Sequence, residues 1–199
     1  LYNSKSNAYR KRFTIAHEIG HFLLPFHDKN AQCATSDMQT LKSKGSNAQK
    51  ELEANRFAIE LLAPRALVRS YLSSKRQPDI QQLVEIHQRF KISKEATARR
   101  YTECADHEVS FLFSKDNKVR YPVKTKDFPY LSLNANDNLP PHISEPIKGK
   151  TVGDIIDWDC VDPDYFLSEP SLAEGKELFC QTLIQENGYH VTLLSLEDE

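Results

Sequence analysis

The 199-residue sequence predicts an α+β fold, helical in its first half and β-rich in its second. Three observations carry this expectation. From Tyr9 to about Cys104, apolar residues recur every three or four positions, the period of helices packed on one face. From Val109 onward they come in short alternating, β-branched or aromatic runs, as strands do. Net charge reverses at the same place: residues 1–105 hold 18 Lys/Arg against 10 Asp/Glu, a net of +8, and residues 106–199 hold 8 against 18, a net of -10. The expected organisation is a helical domain over 1–105 followed by a β-rich module over 106–199, a small antiparallel sheet with one or two helices.

Five helices are expected in the first half. The first covers Tyr9–Leu24 and stops at Pro25, which cannot continue a helix. The second covers Ala48–Leu62 and stops before Pro64. The third runs from Pro64, a favourable first-turn residue, to about Lys75. The fourth starts at Asp79 and the fifth at Ser93, both N-cap residue types, and they end near Phe90 and Cys104. The polar stretch Lys29–Asn47 reads as loop. Strands are expected at Val109–Phe113, Val119–Val123, Glu177–Ile184 and Tyr189–Leu194, with a short helix near Val152–Ile156. The segment from Phe128 to Lys150 carries Pro129, Pro140, Pro141 and Pro146 and reads as loop. The acidic end, Glu197-Asp198-Glu199, reads as a solvated tail.

Composition narrows the function classes. A chain this long buries roughly 70% of its unfolded surface and needs no disulfide or metal merely to fold. No run approaches the ~18 apolar residues of a membrane span; the longest, Ala58 to Ala63, is broken by Glu60. No secretory signal follows Leu1. The four cysteines, Cys33, Cys104, Cys160 and Cys180, form no CxxC and are too sparse for a disulfide scaffold. They read as free thiols of a cytoplasmic protein.

The chemistry lies on the first helix, where residues 17–21 read His-Glu-Ile-Gly-His. Residues four apart share a helix face, with Cβ atoms about 5–6 Å apart. His17 and His21 can therefore reach one ion at Zn–N distances of roughly 2.0–2.1 Å. Glu18 lies about 100° around the helix. It flanks the ion without joining the ligand plane, where a general base takes a proton from an activated water. Gly20 costs about 1 kcal/mol of helix propensity, a cost that close approach of another backbone or of substrate would explain.

Such a centre needs a third protein ligand. On the second helix Glu51, Asn55, Ala58 and Leu62 share one face, while Glu53 and Glu60 point about 200° and 180° away from Glu51. Glu51 is the favoured ligand because Asn55, one turn on, can accept a hydrogen bond from a ligating imidazole, as outer partners of metal-bound histidines do. Glu53 is its main rival. His27, past Pro25, reads as a loop histidine or as a cleft residue facing an oxyanion. His107, His142 and His190 have no ligand spacing and read as structural.

The segments from Arg12 to His21 and from Glu51 to Pro64, with the His-Glu-x-x-His motif and the Glu51-x-x-x-Asn55 pair, resemble the ImmA/IrrE family of bacterial metallo-endopeptidases and, more broadly, gluzincins. The likeness runs more weakly through Phe90–Ser93 to about residue 105. It implies a zincin-like metallopeptidase core over 1–105, with further residues upstream and Leu1–Asn3 at the end of a strand. It implies Zn²⁺ bound by His17, His21 and Glu51, with Glu18 as catalytic base. It also implies a substrate: relatives cleave helix-turn-helix repressors and so release genes of stress responses or mobile elements. Ala63 departs from the Met common there, at a packing position. The alternatives are a DNA-binding protein, through the fourth and fifth helices with Lys94, Arg99 and Arg100, or a non-catalytic metal-binding scaffold in a repressor or toxin–antitoxin complex. The fourth and fifth helices are read as an ordinary hairpin, partly because Glu85, Glu95 and Glu103 lie among their basic residues, so direct DNA binding is not expected.

Overall fold

The computed structural model describes residues 8–27 and 46–198. Leu1–Asn3, the polar stretch after Lys29 up to residue 45, and Cys33 lie outside the described residues. Five helices come first: α1 (Ala8–Leu23), α2 (Ser46–Leu62), α3 (Arg65–Ser73), α4 (Ile80–Phe90) and α5 (Lys94–Cys104). The N-caps act as their residue types require. Asp79 accepts from the Gln81 N–H at 2.6 Å and Ser93 from the Ala96 N–H at 3.1 Å. After α4, Lys91 adopts a left-handed conformation (φ 52°) and turns the chain back into α5.

A five-stranded antiparallel sheet follows, in the order β2-β1-β5-β4-β3. Its strands are β1 (Val109–Lys115), β2 (Lys118–Lys124), β3 (Ile155–Val161), β4 (Lys176–Ile184) and β5 (Tyr189–Asp198). Asp116 and Asn117, both at positive φ, make the two-residue hairpin between β1 and β2. The fold is therefore α+β, with the helices before the sheet.

The sheet is buried on both faces. Val109, Phe111, Phe113, Val191 and Leu193 pack in one core with Val68, Leu83, Ile86 and Tyr101 of the helices. Leu112, Leu178, Leu194 and Leu196 face the other way, into a second core with Phe128, Leu139, Ile143 and Phe166. Fully burying each such side chain contributes roughly 1.5–3 kcal/mol. The proline-rich segment is thus the cover of the sheet's outer face, and it includes a short α6 (Pro141–Ser144).

One expectation fails. No helix forms near Val152–Ile156. Gly153 sits at φ 96°, the Asp154 carboxylate accepts from the Thr151 N–H at 2.8 Å to close a turn, and Ile155-Ile156 begin the edge strand β3. β-branched residues after a turn favour that outcome. The acidic end is solvent-facing at Asp198, as expected, and it is ordered into the sheet. Glu197 and Asp198 extend β5 and pair with Glu177 and Lys176 of β4.

Among the described cysteines, Cys104, Cys160 and Cys180 are free thiols. No helix among the described residues is long and apolar enough to cross a membrane.

Candidate metal centre

α1 buries Ala16, His17 and Gly20, the face it turns to α2. Gly20 is what permits the approach. A Cβ there would stand 3.2 Å from the Ala54 Cα, 3.3 Å from the Ala54 carbonyl oxygen and 3.1 Å from Phe57 Cδ1. Glycine's cost to the helix is thus offset by contact between two backbones. Close contact at this level brings the side chains one turn away into register.

His17 Nε2 and His21 Nε2 lie 3.0 Å apart. Glu51 spans them, with Oε2 3.2 Å from His17 Nε2 and Oε1 3.2 Å from His21 Nε2. Donors bound tetrahedrally at 2.0–2.1 Å must stand about 3.3–3.4 Å from one another. The three side chains therefore fit a zinc-sized ion, and their ligand atoms all lie within 4.8 Å of one another. His17 Nδ1 is 3.0 Å from Asn55 Oδ1. The amide oxygen can only accept, so Nδ1 carries the proton and Nε2 turns its lone pair to the centre. Burial holds the His21 imidazole below its ordinary pKa, outweighing the Glu51 carboxylate that pulls it up. A neutral imidazole is the form that ligates metals.

Glu18 is exposed beside this cluster. Its carboxylate is close enough to raise the His21 pKa, though less than Glu51 does. Glu53 does not reach the three-residue cluster. Its Oε1 accepts from Gln49 Nε2 at 2.7 Å, and its Oε2 lies 3.2 Å from His27 Nε2. Those hydrogen bonds hold its carboxyl below the usual carboxylate range. Glu60 lies elsewhere, in an ion pair with Arg100 at 3.1 Å.

His27 is the residue that spacing did not place. It is buried, and its Nδ1 lies 2.8 Å from His21 Nδ1. Pro25 ends the helical pattern as expected, but Phe26 then turns at φ 65° and brings His27 back beneath α1. The only available signal was a third histidine six residues beyond His21, across a proline. Of the remaining histidines, His142 packs against Tyr165 and His190 is half-buried in β5.

A family model described as the IrrE N-terminal-like domain, peptidase M78, matches residues 1–102. The match takes in α1 to most of α5 and stops before the sheet. No curated protein matches the chain.

Proposed function

Since the chain belongs to the IrrE N-terminal-like peptidase family, we propose that it is a zinc-dependent endopeptidase with His17, His21 and Glu51 as its metal ligands. The observation that carries this reading is the 3.0–3.2 Å convergence of two imidazole nitrogens and one carboxylate across two helices. When bound, zinc supplies a Lewis acid that polarises a peptide carbonyl and makes water nucleophilic at neutral pH.

The protein's own groups do the rest. Asn55 fixes the His17 tautomer and ring plane. Glu18, solvent-facing and adjacent to the centre, accepts the proton of the attacking water at its carboxylate. It then returns that proton to the leaving amine nitrogen, so one group serves as base and acid in turn.

The substrate we propose is a helix-turn-helix repressor, cut in an exposed linker, so that cleavage derepresses stress or mobile-element genes. The resemblance of Arg12–His21 and Glu51–Pro64 to ImmA/IrrE peptidases supports this. The reading of α4 and α5 as a DNA-binding pair is weaker. Arg100 is wholly buried against Glu60 and Glu103, and Arg99 lies over the Tyr121 ring at 5.9 Å. That leaves exposed Arg99 and half-buried Lys94 as the cations of the second helix, beside Glu95 and Glu103, and binding to duplex DNA should stay near the generic ~10⁻⁴–10⁻⁶ M level.

The deciding experiment incubates the zinc-loaded chain with helix-turn-helix repressors encoded near its gene and follows cleavage by gel and mass spectrometry. Cleavage that a chelator stops and zinc restores supports the proposal. Zinc binding without cleavage of any repressor or of an unfolded protein points to the scaffold reading.

A further inference from the structure

His27 and Glu53 lie outside the three-residue cluster but are joined to it. Glu53 Oε2, His27 Nε2, His27 Nδ1 and His21 Nδ1 form a continuous line, with steps of 3.2 Å and 2.8 Å flanking the His27 ring. His21 Nε2 then stands at the centre, 3.2 Å from Glu51 and 3.0 Å from His17 Nε2.

Proton bookkeeping along this line allows one neutral arrangement. If His21 ligates through Nε2, its proton must sit on Nδ1. That N–H donates to His27 Nδ1, which must then be the unprotonated nitrogen of its ring. The His27 proton is left on Nε2 and is donated to the Glu53 carboxylate, an acceptor only. Gln49 donates to the other Glu53 oxygen at 2.7 Å and fixes the carboxylate. Every donor then meets an acceptor.

The chain adopts an unusual conformation to build this line. Phe26 sits in the left-handed region at φ 65° with its side chain 91% exposed, so its aromatic ring gains no burial there. What the turn achieves is the burial of His27, whose side chain is 1% exposed.

We propose that His27, anchored by Glu53, is a positioning residue for the metal ligand His21, the counterpart of Asn55 on His17. The inference rests on the reading of His17, His21 and Glu51 as metal ligands. His27 acts through His21 and touches neither metal nor substrate.

The test measures zinc affinity of the metal-free chain by competition with a chromophoric chelator, and the visible spectrum of the cobalt-loaded chain. His27→Leu should weaken zinc binding by about 10–100-fold, the usual loss on removing an outer partner, and should alter the cobalt bands as the His21 ring loosens. His27→Gln can accept from His21 through its amide oxygen and donate to Glu53 through its nitrogen, so it should recover most of the affinity. Glu53→Ala, at a half-exposed position that tolerates truncation, should fall between wild type and His27→Leu. It also carries the test if His27→Leu does not fold: unchanged affinity in Glu53→Ala would then overturn the proposal.

Wild-type affinity retained in a folded His27→Leu variant overturns the positioning role and leaves the metal centre standing. Complete loss of zinc, matching His17→Ala, would make His27 a ligand and also overturn it. Failure of the wild-type chain to bind zinc removes the metal centre and this inference together.

Discussion

Gly20 and Ala54 bring the backbones of α1 and α2 into contact, with only 3.2 Å between the Ala54 Cα and the place a Gly20 Cβ would occupy. The spacing of the three proposed metal ligands depends on this approach, because His17 and His21 sit on one of these helices and Glu51 on the other.

Gly20→Ala should change stability little, since about 1 kcal/mol of helix propensity offsets the crowding of one methyl. Gly20→Val should destabilise by roughly 1–3 kcal/mol, the usual cost of overpacking, because the atoms it meets include backbone that cannot rotate away. It should also weaken zinc binding by parting the donors. Urea unfolding of the metal-free chains and chelator competition measure the two effects. A Gly20→Val variant as stable as wild type would show that the helices separate at no cost.

The α1 motif was legible because its chemistry is local: helix periodicity alone places His17 beside His21. The partner helix was legible to one residue, since Glu51 and Asn55 share a face and the need for a ligand and an outer acceptor selects that face. His27 was not legible. Its place depends on a left-handed Phe26, and no residue type signals that conformation as glycine would. The same limit applies to β3. Ile155, Ile156 and Trp158 suit a strand, yet the turn that excludes a helix is set by the Gly153 conformation and the Asp154 contacts. The second core escaped notice because Phe128, Leu139 and Ile143 are scattered among prolines, without the period that marks a packed element.

Arg100 offers a separate test of what holds the helices together. Its side chain is fully buried between Glu60 of α2 and Glu103 of α5, whose side chains are each 46% exposed. Glu60 also accepts from the Arg65 N–H at 3.0 Å, at the start of α3. Glu60→Ala leaves the buried guanidinium with the Glu103 carboxylate at 3.0 Å and removes the acceptor of a helix-terminal N–H, and should cost roughly 1–3 kcal/mol. Arg100→Met releases two half-exposed carboxylates to water and should cost less. Thermal unfolding of both variants decides the order; the reverse order would mean that the guanidinium matters mainly through its packing.

Acid should weaken the fold through His87. Burial holds this imidazole below its ordinary pKa, against the pull of the Ile92 carbonyl that accepts its proton, and nearby Lys94 pushes the same way as burial. The Tyr9 ring packs on it from α1. An unfolded histidine titrates near 6.5, so just below that pH the unfolded chain holds more protons than the folded one. Stability is then fully present above about pH 6.5 and falls as pH drops toward the folded-state value. His190 and His21 are shifted the same way by burial. The melting temperature of the metal-free chain should fall between pH 7.5 and 5.5. His87→Gln, which can still donate to Ile92, should fall less steeply; equal slopes would remove His87 as a source.

The proposed mechanism turns on Glu18. Glu18→Gln preserves the size of the side chain and its ability to accept a hydrogen bond, but an amide cannot take up a proton. Glu18 lies exposed beside the centre and outside the His17–His21–Glu51 triangle. Zinc content should therefore stay near one ion per chain, while His17→Ala and Glu51→Ala should lose most of it, because three protein ligands are the working minimum for such a site. Peptide cleavage by Glu18→Gln should nevertheless fall by roughly 10²–10⁴-fold, the contribution of a positioned base. Zinc content by mass spectrometry and cleavage of a helix-turn-helix repressor, measured on the same samples, separate the two quantities. Loss of zinc in Glu18→Gln would place this carboxylate among the ligands. Full zinc with undiminished cleavage would mean that another group takes the proton of the attacking water.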